Sequence, residues 1–181
     1  EEIINKKINI HAGNSGALLM YPEFHGDMVR SGIINYGMLP SLSIKKYTED
    51  NNISLKPVLY WKTRVVRIHT LKKGETLGYG RTYTATQAIT VALLPIGYYD
   101  GYYRGMRNAK VSINGYKCPV IGTICMNMLM VDISCVNNVV MNQEVSLINE
   151  TVSADVLADY AGTINYEITT MINDRIPRII I

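Results

Sequence analysis

The chain has 181 residues, 48% of them hydrophobic and 18% charged, which is typical of a folded globular protein and argues against wholesale disorder. The net charge of +3 is spread over short pairs without a basic run, so we expect no nucleic-acid partner. The three cysteines lack metal-like spacing, which favours free thiols in the cytoplasm and predicts no metal site.

The first forty residues predict two βα-like units, as at the end of an α/β domain. Residues 7–11 have the pattern of a strand, and Asn14 or Ser15 can cap a short helix that follows. Residues 28–36 are apolar and predict a second strand. We place the domain boundary between residues 43 and 44.

β-branched and aromatic residues alternate from position 58 onward, which predicts a β domain. The runs with this pattern are residues 62–70, 88–96, 110–113, 116–120, 124–133 and 145–148. Asn114-Gly115 lies between two of them and predicts a type I′ hairpin, because both central residues of that turn need a positive φ.

Short helices are predicted near the end of the chain. Ser153 can cap a helix through Asp159, and Asn165 can cap a second one through Ile172. Pro177 then stops helical continuation, and residues 179–181 predict a final strand. The predicted fold is therefore mainly β, with a preceding α/β element.

The tyrosines are the residues that most suggest a ligand site, since there are 13 against one Phe and one Trp. Tyr79 and Tyr98 lie in the glycine-rich segments GYGRTY and PIGYYDGYYRG, where small neighbours let a ring approach a ligand. The alternative is that amphipathic rings cover sheet edges and an interface, which accounts for most of them.

Arg30 is unusual because its permanent charge lies inside an apolar segment, where it needs an acceptor or a ligand. His11 can be a core histidine beside a helix cap. His25 and His69 have no partner at metal-ligand spacing, so we interpret both as structural or surface residues.

Six segments, in this order, resemble the alanine racemase family. They are HAGNS from His11, VRSGI from Val29, GYGRTY from Gly78, GYYDGYYR from Gly97, GTICMN from Gly122 and INYE from Ile164. The resemblance covers nearly the whole chain and corresponds to the second half of a complete racemase. It implies the terminal part of a (β/α)8 barrel over residues 1–43, followed by a C-terminal β domain with short helices near its end over residues 44–181.

The resemblance also implies a pyridoxal 5'-phosphate cofactor. The residues that match contacts on its phosphate side are Asn14, Ser15, Gly32, Ile33 and Tyr166. Arg30 matches the arginine that faces the pyridine nitrogen, with His11 as its hydrogen-bond neighbour. Because arginine stays protonated, the ring nitrogen stays unprotonated, which favours return of a proton over loss of a carboxylate.

Tyr79 matches the family's second catalytic base, since racemisation needs acid/base groups on opposite faces of Cα. Tyr98, Met126 and Asn127 match the substrate pocket, and Arg104 matches an outer charge there. The family relation implies a small amino-acid substrate, D-amino acids for peptidoglycan, and a homodimer whose active sites are shared across the interface.

Two departures from the family pattern limit these implications. The family's cofactor lysine lies near the start of its barrel, and no lysine here has a comparable strand-end setting, so we expect this chain alone to be inactive. Asn127 stands where the family commonly has aspartate, which raises serine as a second substrate. The alternative is that Asn127 only packs near the pocket entrance.

Other interpretations remain open. One is a non-catalytic β module that binds a partner or ligand, and another is a barrel-plus-β-domain decarboxylase, which has no evident use for Arg30. The chain opens on Glu1, so we expect it to be an excerpt of a longer protein. An upstream membrane segment would match the membrane-bound serine/alanine racemases of vancomycin-resistance clusters.

Overall fold

The computed structural model describes residues 8–180 and divides into two compact units, with the division after Val58. The predicted boundary between residues 43 and 44 therefore falls inside the first unit. The reason is helix α2, Leu42–Asp50, whose buried Ile44 lies against Gly16 of the preceding helix.

Helix α1 of the first unit spans Ser15–Met20 and is capped by Asn14, whose Oδ1 accepts a hydrogen bond from Ala17 N at 3.0 Å. This cap confirms the predicted helix. Helix α2 was not predicted, although Ser41 caps it through its hydroxyl. Its sequence, LSIKKYTED, is mostly polar and lacks the apolar periodicity that identifies a helix.

The two strands predicted for the first unit are not formed. Residues 8–10 have no strand pairing and His11 makes only isolated bridges, to Gly26 and Met28, while residue 7 lies outside the described part. The apolar run 28–36 instead contains a 3-10 helix, Ile33–Tyr36. A short apolar run is compatible with either a buried strand or a buried helical turn. Here the buried residue Ile33 lies in a helical turn.

The described part of the second unit is built mainly of β-strands, which confirms the predicted fold class. The strands are β1 Trp61–Arg64, β2 Arg67–Leu71, β3 Thr76–Leu77, β4 Tyr83–Thr84, β5 Ile89–Leu94, β6 Lys110–Ile113, β7 Tyr116–Ile121, β8 Leu129–Asp132 and β9 Glu144–Ile148. The main sheet has the antiparallel order β1-β9-β6-β7-β8-β5-β2, and β3 pairs with β4 separately.

The predicted hairpin is confirmed between β6 and β7, with φ of 50° at Asn114 and 83° at Gly115. Two other runs were predicted too long. Residues 62–70 break into β1 and β2 because Val65 N bonds to Gln143 O whereas Val66 N bonds to Leu93 O. The run 124–133 is strand only from Leu129, and the preceding residues form a loop.

Helix α3, Ala154–Ala161, confirms Ser153 as its cap, with Val156 N donating to Ser153 Oγ at 3.3 Å. Helix α4, Asn165–Thr170, is shorter than predicted, and Ile164 occupies the cap position. The Asn165 amide instead donates to Asp155 Oδ1 at 2.7 Å.

The predicted final strand is not formed at residues 179 and 180, and residue 181 lies outside the described part. Within residues 8–180, no helix has the length and apolar character needed to cross a membrane.

Candidate functional site

A cleft of about 380 Å³ in the second unit brings together five residues that the sequence singled out. They are Tyr79, Tyr98, Arg104, Met126 and Asn127. A neighbouring cleft of about 560 Å³ shares Arg104, Thr123 and Ile124 with it. Residues separated by as many as 48 positions in sequence therefore line one concave surface.

Tyr79 begins a 3-10 turn, Tyr79–Arg81, between β3 and β4. The Thr123 hydroxyl donates to the Tyr79 carbonyl at 3.0 Å, and the Thr82 and Thr123 hydroxyls are 2.9 Å apart. The side chain of Tyr79 is 77% exposed. Its backbone is thus fixed by a hydrogen bond while its phenol is open to a ligand.

Tyr98 begins the 3-10 turn Tyr98–Asp100, which follows Gly97 and packs against the loop before β8. Tyr98 N donates to Cys125 O at 3.0 Å, and Tyr99 N donates to Met126 O at 2.9 Å. A methyl group on Gly97 would lie 2.6 Å from Met126 O and closer still to Cys125 O. Only glycine permits this approach, which sets Tyr98 beside Met126.

Met126 and Asn127 are at the exposed tip of the same loop, which Cys125 N closes by donating to Met128 O at 2.9 Å. Buried Ile124 anchors the base of the loop. Arg104 is exposed at the start of its own 3-10 turn and brings a positive charge to both clefts. The cleft thus offers phenol, amide and guanidinium groups on an apolar base.

Ser15 connects the two segments of the first unit that were predicted to contact a phosphate. Its side chain is buried, and its Oγ accepts a hydrogen bond from Gly32 N at 2.9 Å, so its own hydrogen remains available for donation. Asn14 uses Oδ1 for the helix cap, which leaves its Nδ2 as a donor. Ile33 N is the first amide of its 3-10 helix and has no acceptor within that helix.

Arg30 is held through the backbone of the segment that contains His11. Its Nη2 donates to Ala12 O at 2.8 Å, and its N donates to Gly13 O at 2.6 Å. Among the described residues, the guanidinium bonds to this carbonyl rather than to the predicted imidazole of His11, whose ring is exposed. A carbonyl acceptor orients the guanidinium without neutralising it.

Tyr166 lies on α4 and does not line either cleft. Burial raises the pKa of its phenol, which keeps the hydroxyl protonated and able to donate near neutral pH. Residues 8–180 contain no cluster of three His, Cys, Asp or Glu side chains that could hold a metal ion.

Thr123 is the site residue that the sequence analysis missed. It lies within the segment GTICMN, but its importance comes from hydrogen bonds to Tyr79 and Thr82, more than forty positions away. No pattern in the neighbouring sequence could have predicted these hydrogen bonds.

Comparison with protein families gives a match over most of the chain. The family model described as alanine racemase, C-terminal domain, matches residues 58–180. Alanine racemase 1 of Clostridium acetobutylicum is 44% identical over 183 residues, covering 98% of this chain and 46% of the relative. Alanine racemase of Clostridium kluyveri is 41% identical over 189 residues, covering 100% of this chain and 47% of the relative.

Solved structures give the same result. Alanine racemase from Bacillus anthracis with bound L-Ala-P has a TM-score of 0.90 and 34% identity, covering 99% of this chain and 47% of its own. Alanine racemase of Clostridium difficile 630 in complex with cycloserine has a TM-score of 0.84 and 38% identity, covering 91% of this chain and 43% of its own. The chain spans about half the length of the relatives it matches.

Proposed function

The chain belongs to the alanine racemase family, and from that membership we propose that it forms the C-terminal portion of an enzyme that interconverts L- and D-alanine. The observation that carries the proposal is the cleft in which Tyr79 meets Tyr98, Arg104, Met126 and Asn127. The test is the optical conversion of L-alanine by the complete protein supplied with pyridoxal 5'-phosphate. An inactive but folded complete protein would contradict the proposal.

Tyr79 is proposed to be one of the two acid/base groups. Its exposed phenol can deliver a proton to one face of the substrate Cα, and its phenolate can remove one from that face. We propose a homodimer with active sites shared across the interface, acting in the cytoplasm. The D-alanine product would be supplied for peptidoglycan synthesis.

The donor set of the first unit fits the phosphate of pyridoxal 5'-phosphate. Ser15 Oγ, Asn14 Nδ2 and Ile33 N are neutral donors, which suit an anion at the starts of two helical turns. The Gly32 amide is already used by Ser15, so its proposed part is to hold that hydroxyl in place. The phenol of Tyr166 is proposed as a further donor.

Arg30 is proposed to face the ring nitrogen of the cofactor. The chemistry that the bound cofactor would supply is an electron sink for the substrate Cα. Arg30 keeps its charge and its hydrogens, so it can donate to that nitrogen but cannot accept a proton from it. This arrangement limits electron withdrawal and favours return of the proton to Cα.

The 181-residue chain by itself should neither hold pyridoxal 5'-phosphate covalently nor racemise alanine. The resemblance to the family implies a cofactor lysine near the start of the barrel, and this chain covers only 46% of the length of its Clostridium acetobutylicum relative. The measurement is the cofactor's absorbance after borohydride reduction, followed by peptide mapping. Stoichiometric labelling of a single lysine in this chain would contradict the expectation.

Asn127→Asp in the complete enzyme should shift the ratio of kcat/KM for serine and alanine toward alanine. Asn127 is exposed at the cleft, and its amide offers an N–H that a carboxylate lacks. A site that bonds a substrate hydroxyl discriminates better than one that merely leaves room for it. The test is to measure kcat/KM for serine and for alanine in the unmodified enzyme and in Asn127→Asp. An unchanged ratio would mean that Asn127 does not determine substrate specificity.

A further inference from the structure

The cleft loop, residues 97–104, carries Tyr98 and Arg104 and has a second support from the segment after α4. Asn173 Nδ2 donates to Tyr99 O at 2.9 Å, and Asn173 N donates to Asp100 O at 3.1 Å. Tyr99 N in turn donates to Met126 O at 2.9 Å. The backbone of Tyr99 therefore links Asn173 to Met126, which lines the cleft.

The supporting segment, residues 171–178, is stabilised by hydrogen bonds among its own residues. Asn173 Oδ1 accepts a hydrogen bond from Arg175 N at 3.0 Å, which orients the amide so that Nδ2 points to Tyr99. The Arg178 guanidinium donates to the carbonyls of Ile172, Asn173 and Ile176. Because these hydrogen bonds make the supporting segment rigid, the segment can hold the cleft loop in one position.

A second contact acts on the same residue. The Arg175 guanidinium lies 5.0 Å above the centre of the Tyr99 ring, a cation–π arrangement. The supporting segment thus holds Tyr99 by both its carbonyl and its ring. Tyr79, in contrast, is held by Thr123, which belongs to the loop before β8.

We propose that Asn173 is a positioning residue that sets the distance between Tyr98 and Met126 and thereby the affinity of the cleft for the amino-acid substrate. Asn173 is not among the residues that line the cleft, so it acts through Tyr99 rather than by touching substrate. This inference rests on the proposed racemase function. It predicts an effect on substrate binding and not on the proton transfer assigned to Tyr79.

Asn173→Asp in the complete enzyme is the direct test. The carboxylate can still accept from Arg175 N, but it cannot donate to Tyr99 O, and it places two oxygens face to face. We expect KM for alanine to rise about tenfold, with kcat changed by less than about twofold, as for an interaction that acts on ground state and transition state alike.

Asn149→Asp is the matched control. Asn149 Oδ1 accepts from Thr151 N at 2.9 Å, the same two-residue turn that Asn173 makes with Arg175, and no bond joins it to the cleft loop. The control should keep the KM of the unmodified enzyme. Equal changes in both variants, or an unchanged KM in Asn173→Asp, would overturn the inference.

Hydrogen exchange supplies a readout that does not depend on activity. Peptides covering the cleft loop and residues 125–128 should exchange faster in Asn173→Asp, because the Tyr99 amide is bonded to Met126 O. Unchanged exchange there would also count against the inference. If the unmodified enzyme shows no racemase activity, the proposed function fails, while the exchange experiment still decides whether Asn173 positions the loop.

Arg175→Gln keeps the inference testable if Asn173→Asp does not fold. It removes the cation above Tyr99 and leaves the Asn173 amide in place. We expect KM to rise about two- to fivefold, because an exposed cation–π contact is weaker than the lost hydrogen bond. No rise in KM from this variant would contradict the role of the supporting segment.

Discussion

Tyr79→Phe in the complete enzyme should slow racemisation by about a hundredfold to ten-thousandfold, the usual loss when a positioned acid/base group is removed. The substitution deletes only the hydroxyl. The hydrogen bond that fixes this residue runs from Thr123 to the Tyr79 carbonyl, so phenylalanine leaves it intact. The loss should therefore report chemistry at the phenol and not a displaced loop.

The two enantiomers should respond differently. One face of Cα loses its proton carrier while the other keeps the second group, so exchange of the Cα proton with solvent deuterium should suffer far more from one enantiomer than from the other. Tyr116→Phe is the control, since Tyr116 is an equally simple exposed phenol in the hairpin between β6 and β7. Small and equal losses for both enantiomers would reassign Tyr79 to packing.

The parts of the fold that the sequence predicted are those with local causes. The Asn114-Gly115 turn, the Asn14 cap and the Ser153 cap each depend on a few consecutive residues whose backbone preferences or side-chain oxygens decide the structure. The runs rich in apolar and β-branched residues predicted β5 and β7, because such side chains favour the pleated surface of a strand.

The parts that were missed depend on neighbours distant in sequence. Helix α2 presents buried Ile44 to Gly16 from an otherwise polar segment, and the apolar run that contains Ile33 folds as a helical turn. Thr123 bonds to Tyr79, which is 44 positions away in sequence, and Asn173 bonds to Tyr99, which is 74 positions away. Threonine and asparagine are common surface residues, so their type alone does not indicate these contacts. The contacts are visible only in the folded structure.

The same distinction between local pattern and distant contacts applies to the candidate site. The family pattern identified Tyr79, Tyr98, Arg104, Met126 and Asn127 by residue type and order, and the structure brings these five together in one cleft. The pattern could not show which backbone contacts bring the two loops of the cleft together. These include the close approach of Gly97 to the loop before β8 and the hydrogen bonds from Tyr98 N and Tyr99 N to that loop.

Gly97→Ala should lower the stability of the complete enzyme by about 2 to 4 kcal/mol, because overpacking and two strained hydrogen bonds act together. The added methyl group would lie 2.6 Å from Met126 O and nearer still to Cys125 O, so the backbones must separate. The bonds from Tyr98 N to Cys125 O and from Tyr99 N to Met126 O would then lengthen or break. Tyr98 would move away from Met126, and KM for alanine should rise.

Gly115→Ala separates this close approach from general glycine effects. A Cβ there meets nothing within 4 Å, but its φ of 83° strains any L-residue by about 1 to 2 kcal/mol. Thermal unfolding and alanine kinetics should show a loss of stability in both variants and a raised KM only in Gly97→Ala. A Gly97→Ala enzyme that unfolds at a higher temperature than Gly115→Ala and keeps the KM of the unmodified enzyme would mean that the added methyl group fits without separating the two loops. The close approach of Gly97 to Met126 O would then not be what holds Tyr98 in place for substrate binding.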